Sequence, residues 1–569
     1  VKQQTNAWLQ KLGRIPTGWW VVVLTLPALA PLAHAGFFES HDGLFHAYRL
    51  AALDRAVRAG VLFPRWFPEF GFGYGQPVLN FYGPLSYYWG LPFTLLGADA
   101  ALALKLVLAT GLLASALGMY RFARLHLERG PALVAALLYA YLPYHLVDLY
   151  VRGAVAEFLA FVWFPLVLWA FHRLVLDTDK HRFTQIGLAA ALLAALVLTH
   201  SLSAFLFAPV LAAYLLLLTW TSRNHKAKPP SHQDTKSPRK KGFVSWRLGG
   251  MFSCSTCKDF TDKRLLVRTR SPLLTSILAL ASALALALAL TAFHWLPILT
   301  EAQYVGLGHG VSAGYENHLV SLSHLFDWSP AYPYTDEPGV APTFPLGWFQ
   351  VAILVAALVL PFRPHSGRWG SVFFLVVALL SVFMLTLWSL PVWKLFERGL
   401  AFLQYPWRFQ SLTALATAFL AGALYEAASS KQQALRLHSG QAAGGLLPKL
   451  AACCLLLATG LWTLWRLPYT PTSPDLSVEA MWQWDRYYGQ IGATWTGEYL
   501  PIWVTEQRWA ISHPATEPAT NDTVLPAGQF RLTGVGYNRY EFWQESPSLL
   551  YITPLVLHQF YYPGWEALE

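Results

Sequence analysis

The sequence predicts a mainly α-helical fold, a polytopic transmembrane bundle of about 11 spans followed by a small β-rich domain. Three observations carry this. Apolar runs recur through the first 467 residues at the length a helix needs to cross about 30 Å of hydrocarbon. Of 569 residues, 55% are hydrophobic and only 13% charged, with a mean hydropathy of +0.37, a balance unsuited to a soluble globule. Lys and Arg also crowd some loops and avoid others.

The first span covers about 17–34. A short basic stretch (Lys2, Lys11, Arg14) precedes it without a cleavage site, which reads as an uncleaved anchor starting inside. An outer segment, 36–99, follows. It holds a surface helix and then QPVLNFYGPLSYYWGLPFTLLG, which Pro77, Pro84 and Pro92 interrupt. The basic cluster Arg121, Arg124 and Arg129 leaves room for one crossing before it, so that aromatic stretch is interfacial or re-entrant. Spans are expected at 100–120, 131–143, 158–176, 183–199, 203–220, 272–294, 346–361, 370–390, 409–428 and 449–467. Eleven crossings that start inside end outside.

Loop charge gives the orientation. The loop 221–271 holds thirteen Lys/Arg against three acids, whereas 295–346 holds five acids and no Lys or Arg. The first is therefore cytoplasmic and the second outside. The net charge of +10 reflects this topology and gives no reason to expect a nucleic-acid partner. The basic loop has the composition of a solvated, disordered segment. It carries one CxxC (Cys254, Cys257) that His225 and His232 would have to complete as a zinc site, while Cys453 and Cys454 read as packing residues in a span.

Residues 468–569 form the expected extracytoplasmic domain, with four Arg against eleven acids. QFRLTGV, YEFWQE and LLYITPLVL read as strands. The closing YYPGWEALE looks like strand sequence that stops early, so this domain is expected to be incomplete at its C-terminus.

The chemistry is expected just outside the first span, in FFESHDGLFHAYRLAALDRAVRAGVLFPRW. Leu44, Phe45, Tyr48, Ala51 and Ala52 share one helical face while His46, Arg49, Asp54 and Arg58 fall elsewhere, so the helix should lie along the membrane surface. Asp42 begins it. One reading makes Asp42 an N-cap that complements the helix dipole; the other makes it a carboxylate held at the water–lipid boundary as general base toward an acceptor hydroxyl.

An acid directly after the first span, a surface helix, Phe63-Pro64-Arg65 and then Gly83-Pro84-Leu85-Ser86-Tyr87-Tyr88-Trp89 resemble the opening of GT-C glycosyltransferases, including aminoarabinose transferases and protein O-mannosyltransferases. The resemblance implies that Asp42 is the catalytic base or an orienting acid. Where many of those enzymes carry a second acid, this chain has Gly43. PYHLVDLYVRGAVAEFLAF resembles their Arg-xxxx-acid element, with Arg152 and Glu157 brought together only by a bend at Gly153; otherwise the two read as a snorkelling Arg and a helix-start Glu.

FYGPLSYY, YLPYHLVDLYVRGAVAE, THSLSA, WLPILTE and QYPWRF together resemble a bacterial membrane family labelled as 6-pyruvoyl-tetrahydropterin-synthase-related, over most of the first 430 residues. Nothing resembles a pterin synthase's soluble zinc–histidine site, so that activity is not implied.

Three further residues are candidate substrate contacts. His200 near the outer end of an apolar helix is a packed core histidine or a substrate ligand. Glu301, after Trp295-Leu296-Pro297, could meet sugar, a divalent metal or water. Arg408 in QYPWRF could snorkel or offer its planar fork to a lipid phosphate. No HExxH, paired HxxxH or Gly-rich phosphate loop appears, so no cofactor is implied beyond a divalent metal.

The expected reaction is inverting transfer of a sugar from a polyprenyl-phosphate donor to an extracytoplasmic glycan, lipid or protein acceptor, in a multi-pass protein of the cell membrane. Phosphate is a good leaving group, so one carboxylate suffices. The alternative is a lipid-linked glycan transporter or non-catalytic cell-envelope assembly protein. Transporters commonly show internally repeated halves and charges near the membrane midplane. This sequence shows neither.

Overall fold

A computed structural model describes residues 16–176, 182–224, 273–307, 314–326, 344–362, 368–439, 461–467, 469–488, 498–504, 530–536 and 539–544. The chain is mainly helical. Its main helices are α1 (Thr17–Thr25, continued as a 3-10 turn over Leu26–Ala33), α2 (Gly43–Arg58), α3 (Leu85–Leu95), α4 (Ala100–Ala123), α5 (Arg129–Tyr141), α6 (Val155–Leu176) and α7 (Arg182–Thr199). After these come α8 (Ser201–Asn224), α9 (Leu273–Leu290), α10 (Ala292–Glu301), α11 (Trp348–Ala357), α12 (Arg368–Met384), α13 (Phe409–Ser439) and α14 (Val478–Tyr488).

Among the described residues, five helices are long and apolar enough to cross a membrane, and seven spans result if two bent pairs each count as one. The bent pairs are Arg129–Tyr141 with Pro143–Arg152, at 43°, and Leu274–Leu290 with Ala292–Tyr304, at 65°. Shorter apolar helices lie over Thr17–Ala33, Trp348–Phe362 and Arg368–Met384. Each expected span up to 409–428 thus meets an apolar helix or helix pair, while most of 449–467 lies outside the described residues. The expected re-entrant stretch 76–97 holds only a short turn at Val78–Phe81 and the eleven-residue α3, which packs on α2 and α4 rather than crossing.

Burial separates central from peripheral helices. In Val155–Leu176 and Pro406–Ser429, 72% and 78% of the apolar window is inside the protein, against 28% in Arg182–Thr199. The peripheral helices instead expose Leu274, Leu278, Leu288, Leu299, Val355 and Leu380, side chains suited to lipid. α6 and α13 are therefore the most enclosed helices, with α6 packed by α4, α7 and α8.

Two strand pairs form. In β1 (Phe37–Phe38) and β2 (Pro471–Thr472), Phe37 pairs with Thr472 and Phe38 with Pro471, antiparallel. The exit of α1 and the start of the C-terminal segment are thus joined by main-chain pairing. β3 (Phe530–Gly536) and β4 (Arg539–Gln544) form an antiparallel hairpin where QFRLTGV and YEFWQE suggested strands. LLYITPLVL, YYPGWEALE and the four cysteines lie outside the described residues.

The structure alters two expectations. The surface helix α2 is covered on its polar side too: His46 and Arg49 are as buried as Leu50, beneath Tyr82, Tyr87 and Tyr499. The segment after residue 468 is also not wholly separate from the first outer loop. Trp482 Nε1 donates to the Glu69 carbonyl (2.8 Å), Tyr48 donates to the Asp475 carbonyl (3.3 Å), and residues 500–502 pair with 304–306.

Candidate functional site

The site is built where α5 ends. After Pro143–Val147 the chain runs through one π-helical turn, Asp148–Arg152, into Gly153 at φ +60°, and α6 starts two residues later. Only glycine takes that left-handed conformation at little cost, and here there is a second reason for it. A Cβ on Gly153 would lie 2.5 Å from Ser40 Oγ and 2.8 Å from the Gly43 nitrogen.

The bend brings together residues that a continuous helix would separate. Arg152 Nη1 lies 3.0 Å from Glu157 Oε2 and 2.5 Å from Asp148 Oδ1, and it donates to the Tyr144 hydroxyl at 3.0 Å. Tyr144 in turn donates to Glu157 Oε1 at 2.6 Å. Arg152, Asp148 and Glu157 are all buried, so neither a snorkelling Arg nor a solvated helix-start Glu describes them. Ions so placed are tolerated only when paired.

Arg408 enters from the opposite side of the bundle, at the head of α13. Its Nε comes within 3.5 Å of Glu157 Oε2, an ion-pair distance without hydrogen-bond geometry, and its Nη2 donates to Gln404 Oε1 at 3.0 Å. Glu157 thus faces two guanidinium groups. Gln404 sits at φ +61°, unusual for a side-chain-bearing residue, and such backbone persists only where its surroundings over-determine it. Three buried atoms of this cluster, Arg408 Nε, Arg408 Nη1 and Asp148 Oδ2, have no hydrogen-bond partner among the described residues.

Asp42 joins the same centre through the backbone. Its amide donates to the Arg152 carbonyl at 2.7 Å, and the His41 amide donates to the Val151 carbonyl at 3.0 Å. Although Asp42 occupies the cap position of α2, its carboxylate makes no capping hydrogen bond; Ser40 Oγ accepts the Gly43 amide instead, at 3.2 Å. The capping account of Asp42 therefore fails. Gly43 also has a local explanation, since a Cβ there would come within 2.2 Å of Ser40 Oγ and leave no room for a second acid.

Of the other candidates, His200 is buried with Nδ1 2.7 Å from Ser203 Oγ, within the electrostatic reach of Glu157, Arg408 and Arg152. Glu301 belongs elsewhere. Its Oε1 accepts from Arg65 at 2.5 Å and its Oε2 from Asn80 at 3.0 Å, so it bridges the FPRW turn to α10. Among the described residues no group of three or more His, Cys, Asp or Glu is placed to hold a metal ion.

Three contributors escaped the sequence reading. Asp148 could have been found from its four-residue spacing to Arg152, which joins helical neighbours. Tyr144 gave no signal, because its partner Glu157 lies beyond the bend. In α2, Arg49 donates to the Tyr87 hydroxyl at 3.3 Å, and that hydroxyl lies 2.8 Å from His46 Nδ1. An arginine can only donate, so the tyrosine proton goes to His46, whose own proton sits on Nε2. Burial, then the Arg49 charge, then His200 hold the His46 imidazole well below its ordinary range.

Fold and site define a membrane protein with a buried ion cluster at the α1-exit end of its helical bundle. Residues 79–234 match the model of the 6-pyruvoyl-tetrahydropterin synthase related domain, described as a membrane protein, and this chain carries that domain. An uncharacterized protein of Lactococcus lactis subsp. cremoris is 23% identical over 211 residues, 36% of this chain and 34% of that protein. The chain thus spans about a third of the length of the curated relative it matches.

Among solved structures, the archaeal oligosaccharyltransferase AglB from Archaeoglobus fulgidus, in complex with an inhibitory peptide and a dolichol-phosphate, is 12% identical with a TM-score of 0.41. That likeness covers 78% of this chain and 55% of AglB. The arabinofuranosyltransferase AftD from Mycobacteria is 15% identical with a TM-score of 0.44, over 83% of this chain and 29% of AftD. Scores at this level carry no argument about function.

Proposed function

We propose that the chain is an inverting membrane glycosyltransferase that moves a sugar from a polyprenyl-phosphate donor to an extracytoplasmic acceptor hydroxyl. The observation that carries this reading is Arg408 Nη1, a buried guanidinium donor without a hydrogen-bond partner among the described residues, beside a carboxylate group tied to Asp42 through the Arg152 backbone. A fixed fork with a remaining donor suits a phosphate oxygen.

In the proposed step, Asp42 accepts the proton of the acceptor hydroxyl as its oxygen bonds to the anomeric carbon from the face opposite the phosphate. The anomeric carbon–oxygen bond to phosphate breaks, its electron pair stays on the phosphate oxygen, and Arg408 Nη1–H donates to that oxygen. Glu157 and Gln404 hold the Arg408 fork in place. His200 is a candidate contact to the sugar or the phosphate. Glu301, engaged with Arg65 and Asn80, supports the outer loop in this reading and has no direct role in transfer.

The test uses the full chain in proteoliposomes with a panel of polyprenyl-phosphate hexoses and pentoses. Asp42→Asn removes basicity without removing a capping bond and should lower transfer about 10²–10⁴-fold while donor binding persists. Arg408→Lys should instead weaken donor binding. Full transfer by the Asp42→Asn protein would move the reading to lipid-linked glycan transport.

A further inference from the structure

Next to Arg408, a small cavity is lined by Trp407, Gln410, His318, His324, Phe344 and Leu385, among others. It offers about 10 Å³ to a water-sized group, the room that one water or one hydroxyl needs. Two of its walls carry unpaired polar atoms. Trp407 Nε1, a donor only, and Gln410 Oε1, an acceptor only, are buried and have no hydrogen-bond partner among the described residues, whereas the amide nitrogen of Gln410 is engaged by the Phe344 carbonyl. Such atoms destabilise a protein unless something meets them.

We infer that this cavity is a specificity subsite for a single sugar hydroxyl, with Trp407 Nε1–H donating to its oxygen and its own proton going to Gln410 Oε1. The inference rests on the glycosyltransferase reading above. One hydroxyl both accepts and donates, so it matches one orphan donor and one orphan acceptor, and the volume excludes a whole ring.

Position supports a ligand group as the occupant. The exposed His324 forms part of the wall, so the cavity reaches the surface. On the inner side, the Arg152 guanidinium lies 6.0 Å from the Trp407 ring centre, and Tyr405 stacks on that ring at 4.2 Å and 5°. Trp407 and Gln410 flank Arg408 in the chain, which places the cavity beside the proposed transfer centre. Trp407 and Gln410 are thus specificity-determining residues and take no part in proton transfer.

The test is saturation-transfer NMR on the full chain in nanodiscs, with methyl hexopyranosides and their monodeoxy analogues as probes. The intact protein should bind at least one hexoside about tenfold more tightly than one of its monodeoxy forms, because that form leaves both orphan atoms unmet. Trp407→Phe and Gln410→Leu should each bring the ratio toward one, and the former keeps the aromatic wall if the latter misfolds. Equal binding of all analogues to the intact protein, absence of hexoside binding, or a ratio unchanged in both folded variants would overturn the inference. Asp42-dependent transfer combined with equal binding would sink the subsite alone. Loss of Asp42 dependence would sink the reading beneath it.

Discussion

α6 carries a buried polar cluster at each end, and the two are built on opposite terms. At its first turn Glu157 faces Arg152 and Arg408, with Asp148 behind them, and three buried polar atoms have no hydrogen-bond partner among the described residues. Fifteen residues on, about 22 Å along the helix at 1.5 Å per residue, His172 Nδ1 and His126 Nε2 share the Tyr214 hydroxyl at 2.7 and 2.9 Å. Burial holds the His126 imidazole well below its ordinary range, so it is neutral, and none of these three side chains leaves a buried polar atom unpaired. A closed neutral cluster needs only folding to explain it. An open charged one is what the proposed donor site would require.

The largest expected difference follows from removing the centre of each cluster. Glu157→Leu leaves two guanidinium groups facing an apolar side chain and should destabilise the protein by about 3–5 kcal/mol, read by thermal unfolding in nanodiscs. An equal loss in His172→Leu would break the contrast. Next in size, Asp42→Asn should leave the unfolding temperature within error while transfer falls as described above. A parallel fall in stability would make Asp42 structural.

Tyr214→Phe strands two imidazole nitrogens and should cost about 1–3 kcal/mol with transfer per folded molecule unchanged; reduced transfer would tie that end of α6 to the chemistry. The smallest effect concerns His46, whose pKa is lowered on folding from the ordinary 6.5. The unfolded chain takes up this proton first, so the contribution is complete above about pH 6.5 and is lost as pH falls toward the folded value, by at most about 1.4 kcal/mol per pH unit. Thermal unfolding scanned from pH 7.5 to 5 should show that slope, and His46→Gln should flatten it. Burial sets most of it, with the Arg49 and His200 charges adding to it.

The chain by itself determined that it belongs in a membrane, where its apolar helices lie, and that the aromatic stretch 76–97 does not cross. These depend on hydrophobic length and proline placement, which are local and add up along the chain. It also singled out candidate residues: Asp42, Arg152, Glu157, His200 and Arg408 are unusual where they stand, because polar groups are costly beside hydrocarbon. Tertiary structure decided which of them meet. Glu157 faces both arginines because Gly153 bends the chain and α13 packs across the α5–α6 corner, and neither event is written in the spacing of the charged residues. The fold sent Glu301 to Arg65 and Asn80, freed the Asp42 carboxylate from capping by using Ser40, and left Trp407 and Gln410 with unmet atoms. A side chain's polarity is a property of the residue, but its satisfaction is a property of its neighbours, and those neighbours are distant in sequence.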